Sequence, residues 1–262
     1  MTVTAQSEAA ELGDLLRSLG VRRGGVLVVH AALSGTGSTP ESVRDVLLAA
    51  LGPEGTLIVP AFTPENSDTS RSHRAAVAGM SAAEATEYRR TMPPFNPDTT
   101  ACPTMGALAE CVRSTPGALR STHPQTSFAG LGPRARTLLR RHPIRSHFGR
   151  LSPMARLYAA DAQILLLRVG FEVCSAFHHA EYLMRPRPPR RTYRCVVHRE
   201  GNWVSYRDIT LDDSDFGEMG ARLPRGLLAE SSWASRPVVL CAMREVVDHA
   251  KIQMSGYRRP LT

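Results

Sequence analysis

Apolar positions recur along this chain with two periods, near 3.6 and near 2. Residues 7–19 (SEAAELGDLLRSL) carry helical spacing and stop at Gly20, which predicts a helix. VLVVHAAL (26–33) is a short continuous apolar run and predicts a buried strand, followed by the small-residue loop SGTGSTP. Thr39 ahead of Pro40 predicts a capped helix over 40–51. GTLIVPAF (55–62) predicts a second strand, and AQILLLRVG (162–170) is the strongest strand signal in the chain. Further helices are predicted over 104–114, 133–141, 153–160, 174–184, 214–222 and 239–254. Residues 118–132 read as a loop and then a short strand, and 192–209 as a hairpin turning at Glu200–Asn202. The stretch 64–100 is rich in Pro, Ser, Thr and Asn. It predicts a functional or mobile loop with one short helical piece near 81–90. Crossovers together with a hairpin imply an α/β fold, a mixed β-sheet flanked by helices. No linker divides the chain, so 1–262 is read as a single domain.

Composition narrows the function classes. No apolar run approaches the ~20 residues that span a bilayer. The first residues lack the basic and apolar regions of a secretory signal, so the expectation is a cytoplasmic protein without membrane contact. Five scattered cysteines, Cys102, Cys111, Cys174, Cys195 and Cys241, form no CxxC, and they read as reduced core thiols. Net charge is +8, almost entirely from arginine, with Lys251 the sole lysine. That balance favours anionic partners. The densest patch, Arg185, Arg187, Arg190, Arg191 and Arg194, is interrupted by prolines and reads as a solvated loop. A nucleic-acid binder is disfavoured, since no recognition motif accompanies the arginines.

Four constellations carry candidate chemistry. In Phe177-His178-His179-Ala180-Glu181, His178 and Glu181 are three apart and share a helix face. That pair is open to three readings: a metal half-site without an evident third ligand, a general base, or a satisfied buried histidine. His123-Pro124-Gln125-Thr126-Ser127-Phe128 places polar groups in a turn, without a GxSxG elbow anywhere. The loop His30-Ala31-Ala32-Leu33-Ser34-Gly35-Thr36-Gly37 has small residues whose backbone N–H groups can approach an anion. Asp208 ends a predicted strand, where a carboxylate can orient a histidine. Asp212, Asp213 and Asp215 after it read as a helix start.

Taken in order, these segments resemble the aminoglycoside 3-N-acetyltransferase family. The matching pieces are VRRGGVLVVHAALSGTG (21–37), LGPEGTLIVPAFT (51–63), PFNPDTTACPTMGALAECVRSTPGALRSTHPQTSFAGLGPRA (94–135) and FGRLSPMARLYAADAQILLLRVGFEVCSAFHHAEY (148–182), followed by a hairpin through Trp203 to Asp208. The tail after about 222 matches poorly. The resemblance implies the α/β fold of that family, distinct from the common GNAT fold, with acetyl-CoA as co-substrate and no metal. It implies catalytic His178, with Asp208 as its paired carboxylate, Asp212 or Asp213 as the alternatives, and Glu181 beside it. It implies a CoA site at His30, Ala31, Leu33, Ser34, Gly35, Thr36, Met105, Gly106, Ser127 and Phe128, and an acceptor site at His123, Asn96 and Asp98. Ala32 replaces a hydroxyl residue of the family, and Asn96 replaces an aspartate; residues 144–147 (IRSH) and Arg207 are also unusual.

The expected reaction is acyl transfer to an amine of an aminoglycoside or similar amino sugar, in keeping with antibiotic resistance. His178 is the general base, and amides near Leu33–Ser34 or Ser127 receive the oxyanion. A cationic acceptor calls for a locally acidic cleft, expected from Glu65, Asp68, Glu84, Glu87, Asp98 and Glu181. The alternatives are a less cationic biosynthetic amine, or a hydrolase or thioesterase built on the histidine and a carboxylate. The expected partners are CoA and a small amine, with no nucleic acid; the assembly expected is a monomer or homodimer.

Overall fold

The computed structural model describes residues 3–197 and 203–258. Helix α1 (Val3–Leu19) leads into strand β1 (Val26–Ala31), then helix α2 (Pro40–Leu51) and strand β2 (Thr56–Pro60). Thr39 caps α2 as expected, its side chain accepting from the Ser42 amide at 3.2 Å. Helices α3 (Arg71–Ala76), α4 (Ala82–Thr91) and α5 (Ala107–Ser114) follow, then strands β3 (Leu119–Arg120) and β4 (Phe128–Leu131). The stretch expected as a loop with one short helix near 81–90 contains that helix as α4, and α3 besides. Short polar residues begin its helices: Ser70 caps α3, and Ser81 with Glu84 forms a reciprocal capping box on α4.

Helices α6 (Ala135–Leu139) and α7 (Pro153–Ala159) precede strand β5 (Gln163–Leu167) and helix α8 (Phe177–Leu183). Strands β6 (Arg190–Val196) and β7 (Trp203–Ile209) form the expected hairpin, as a separate two-stranded sheet. Its predicted turn at Glu200–Asn202 lies outside the described residues. Part of the arginine patch is thus strand rather than loop: Arg194 pairs with Asp68 at 3.1 Å, and Arg191 lies over the Tyr193 ring. Helix α9 (Phe216–Ala221), strands β8 (Leu228–Trp233) and β9 (Arg236–Ala242), and helix α10 (Met243–Tyr257) complete the chain.

The last elements correct the sequence reading. The run 239–254 was expected to be one helix; its first residues belong to β9, which pairs antiparallel with β5, Leu165 opposite Leu240. VVLC is a continuous apolar run, and such a run does not distinguish strand from helix by periodicity.

The main sheet has seven strands in the order β3-β4-β2-β1-β5-β9-β8. β2, β1 and β5 are parallel at its centre, and the outer pairings are antiparallel. Alternation along each strand sends neighbouring side chains to opposite faces. Val26, Val28, Ile58, Ile164 and Leu166 pack with α6, α7, α8, α9 and α10, whereas Leu27, Val29, Leu57, Leu165 and Leu167 pack with α1, α2 and α5. Both faces of the sheet are therefore covered, which accounts for the unbroken apolar runs of its central strands. Cys102, Cys174, Cys195 and Cys241 are buried and Cys111 half-buried, all as free thiols. No described helix is long and apolar enough to cross a membrane.

Candidate active site

Open α/β sheets bind ligands in the crevice beyond the carboxyl ends of their parallel strands. Such a cavity, of about 770 Å³, opens here beyond β1, β2 and β5. Its walls include Val29 to Ser34 at the end of β1 and just beyond it, Pro60 and Phe62 at the end of β2, Thr104 to Ala109 at the start of α5, and Ser175 and His178 at the start of α8.

His178 borders the cavity with 14% of its side chain exposed, and its Nδ1 lies 2.7 Å from Glu181 Oε2. Glu181 is fully buried. Its other oxygen, Oε1, accepts from the Asp212 amide at 2.9 Å and from Arg258 Nη1 at 2.6 Å. Phe148 stacks against the imidazole with centroids 4.8 Å apart and planes 21° apart, and Phe216 closes another side at 4.8 Å. The carboxylate and the two phenyl groups hold one ring orientation. Among the described residues Nε2 has no hydrogen-bond partner. The arrangement is that of an oriented imidazole with one nitrogen available as a base.

The loop after β1 is held from two sides. Buried Arg168 donates from Nη1 to the carbonyls of Ala32 (3.2 Å) and Ser34 (2.9 Å). Glu8 accepts from the Gly37 amide at 2.9 Å and the Ser38 hydroxyl at 2.8 Å. Among the described residues the amides of Leu33 and Ser34 donate to no protein acceptor. Across the loop, Gly106 starts α5 at φ +87°, without a side-chain cap. The α5 N-terminus thus meets the cavity with unpaired amides, suited to an anion. His30 Nε2 lies 3.3 Å from Ser175 Oγ, and burial pushes this histidine down to about 4, so it is neutral at pH 7.

A family profile described as aminoglycoside 3-N-acetyltransferase matches residues 28–255. The chain belongs to the aminoglycoside 3-N-acetyltransferase family. It is therefore an acyltransferase acting on nitrogen. It is similar to aminoglycoside N(3)-acetyltransferase III of Pseudomonas aeruginosa, with 31% identity over 80% of this chain and 75% of the relative. Its fold matches the crystal structure of the YokD protein from Bacillus subtilis at a TM-score of 0.86 and 25% identity, covering 97% of this chain and 96% of that one. A structure described as AAC-IIIb binary with CoASH matches at a TM-score of 0.80 and 25% identity, over 95% of this chain and 96% of that one.

Against this family's expected residues the geometry sorts the candidates. His30, Ala31, Leu33, Ser34, Met105, Gly106 and His178 meet at one cavity. The carboxylate bonded to His178 is Glu181, not Asp208. Asp208 accepts instead from the His147 amide at 2.9 Å, from its neighbour Ile209 at 2.8 Å and from the Tyr182 hydroxyl. Nor does Asp212 or Asp213 bond the imidazole; Asp212 donates its amide to Glu181, and Asp213 borders the cavity.

His123 does not border the cavity either. It is fully buried, its Nδ1 accepting from the amides of Gln125 (3.1 Å) and Thr126 (3.2 Å) while Nε2 donates to the Ile144 carbonyl at 3.1 Å. Ser127 is buried too, donating to Ala61 O at 2.7 Å and accepting from Arg120 Nε at 2.9 Å. Phe128 stands behind Phe62, their centroids 5.2 Å apart. Gly35 and Thr36 shape the β1 loop without lining the cavity, and Thr36 Oγ1 turns back to Leu33 O at 2.8 Å. Asn96 Oδ1 accepts from the Asp98 amide at 2.9 Å, and neither residue lines the cavity.

Apart from Glu181, which bonds His178, the acidic residues expected in the cleft do not line it. Asp68 pairs with Arg194, Glu84 caps α4, and Glu87 pairs with Arg90 at 2.7 Å. Glu65 is also outside the walls, and the carboxylates that do line the cavity are Glu172 and Asp213. Phe148, Phe216, Ser175, Arg168 and Arg258 were missed by the sequence reading. None forms a local pattern with His178 except Ser175, three residues before it.

Proposed function

We propose that this chain transfers the acetyl group of acetyl-CoA to an amine of an aminoglycoside or a similar amino sugar, with His178 as general base and Glu181 as its orienting carboxylate. The observation that carries the reading is the His178–Glu181 pair at the wall of a large cavity in a member of this family. The apolar walls suit a pantetheine arm, and the uncapped α5 start suits an anionic phosphate.

In this reading the amine nitrogen attacks the thioester carbonyl carbon. Nε2 of His178 takes the proton that the nitrogen loses as the N–C bond forms. The free amides of Leu33 and Ser34 are the donors available to the oxyanion. The C–S bond then breaks, and the proton passes from the imidazolium to the departing sulfur. Glu181 keeps the Nδ1 proton in place and stabilises the imidazolium, the orienting role of a triad carboxylate.

The test is thiol release from acetyl-CoA with a panel of aminoglycosides, amino sugars and simple amines. Turnover with an amine, lost in His178→Ala while CoA binding survives, supports the reading. No thiol release with any amine, together with no CoA binding, overturns it. One observation favours a less cationic acceptor as second reading: among the described residues Glu172 and Asp213 are the cavity's only carboxylates. The same panel separates the two by the rank order of acceptors.

A further inference from the structure

We infer that Arg258 is a positioning residue for the transfer, its guanidinium fixing the Glu181 carboxylate so that His178 keeps its proton on Nδ1 and offers Nε2 to the acceptor. This rests on the reading of His178 as the base. Arg258 follows the last turn of α10 and lies three residues beyond the stretch matched to the family.

A fully buried carboxylate needs compensation for its lost hydration. Arg258 supplies it through a rigid fork, which a point charge would not reproduce. Nη1 donates to Glu181 Oε1 at 2.6 Å, Nε to Asp215 Oδ2 at 2.8 Å, and Nη2 to the Asp212 carbonyl at 2.8 Å and to Asp215 Oδ1. With Oε1 occupied by Arg258 and the Asp212 amide, Oε2 is left for the imidazole. The guanidinium also sits 5.9 Å from the centre of the Phe216 ring, which packs on His178. One side chain therefore ties α10, the loop before α9 and the histidine's partner into one unit, yet does not line the cavity.

The charges around His178 give the sign of the effect. Glu181 stands on its own helix, His147 precedes Phe148, Asp213 lies before α9, and His30 and Glu172 line the cavity with it. Burial keeps His147 and His30 neutral. Burial also opposes charge on Arg258, but Asp215 and Glu181 outweigh it and hold the guanidinium above its ordinary range. Removing that cation leaves Glu181 uncompensated and favours the imidazolium, which is inactive as a base.

The experiment is an NMR titration of the His178 imidazole in the wild type, Arg258→Gln and Arg258→Lys, alongside thiol-release kinetics and thermal unfolding. Arg258→Gln is expected to raise the imidazole titration by about one pH unit. It should move the acid limb of kcat equally, an approximately tenfold loss below that limb, with the KM for acetyl-CoA unchanged. Arg258→Lys is expected to recover only part of the shift, since it restores a positive charge but not the fork that holds Glu181. An imidazole that titrates as in the wild type while only the melting temperature falls makes Arg258 merely structural and overturns the proposal. Should Arg258→Gln not fold, Asp215→Asn removes the anion that shares the guanidinium with Glu181 and is expected to shift the imidazole in the opposite direction; an unmoved titration there is equally fatal. A wild type that turns over no amine sinks the functional reading, whereas the titration still decides the role of Arg258.

Discussion

Phe148 lies nearly flat on the His178 ring, 4.8 Å between centroids, and is itself 1% exposed. It also meets Phe62 at 5.6 Å and Phe128 at 6.2 Å, so the histidine rests on an aromatic shelf continuous with the core. Phe148→Ala would open a cavity there, with an expected loss of about 3–5 kcal/mol. Urea unfolding measures that loss. Turnover by the remaining folded protein should fall as well, because the ring loses the surface that fixes its orientation.

Glu181 and Asp208 are both buried carboxylates expected beside the candidate base, but their hydrogen bonds assign them different work. Glu181→Gln keeps the shape while removing the charge that stabilises an imidazolium and balances Arg258. Turnover should drop at least about 100-fold, with a stability loss of about 3–5 kcal/mol from the broken buried pair. Asp208→Asn should instead spare most of the turnover and lower stability, since its partners are His147, Tyr182 and Ile209. Comparable losses of kcat in the two variants would contradict this division.

Burial leaves several histidines neutral, and this predicts acid lability. His142 is pushed down to about 3 and His30 to about 4, while burial and neighbouring histidines hold His123 and His147 well below the ordinary range. Unfolding exposes each ring, which then binds a proton below about pH 6.5. The unfolded state thus binds more protons, so stability is complete above about pH 7 and falls as the pH drops. Each histidine contributes a slope of about 1.4 kcal/mol per pH unit until its folded-state value is reached. Melting temperatures measured from pH 8 to pH 4 should fall steeply below pH 6.5; a flat profile would remove these four rings as the cause.

Gly106 holds φ +87° where α5 meets the β1 loop, and a Cβ there would stand 3.4 Å from Ala31 O. Gly106→Ala places a side chain on a positive-φ backbone essentially confined to glycine, at a cost of about 1–3 kcal/mol. Relief of that strain moves the backbone that borders the cavity, so CoA should bind about tenfold more weakly. Calorimetric titration with CoA checks this, and unchanged affinity would exclude Gly106 from the donor site.

The strands and most helices were legible because their signals are local. A buried strand such as β5 is written in four consecutive apolar residues, Ile164 to Leu167, and Thr39-Pro40 marks a helix start without help from elsewhere. The β8–β9 hairpin was not legible as such, since the apolar run of β9 continues without interruption into α10. At the site, His178 and Glu181 could be paired from the sequence because one helical turn brings them together. The β1 loop and Met105-Gly106 came from the ordered resemblance to a family.

The histidines show the limit of reading by residue type. His123 and His178 both sit in distinctive motifs, yet one is locked among backbone groups and the other borders a cavity. Burial and free lone pairs separate them, and neither is a property of a few consecutive residues. Arg258 illustrates the same point, being 77 residues from Glu181 along the chain and in hydrogen-bond contact with it. Sequence alone determined the α/β class, the covered sheet and the helix on which His178 and Glu181 meet, because periodicity and short-range spacing act over one or two turns. Only the tertiary structure decided which carboxylate meets the imidazole, which histidines are sealed away and what anchors the pair. Those outcomes depend on desolvation and on hydrogen bonds between segments that come together only when the sheet and its helices pack.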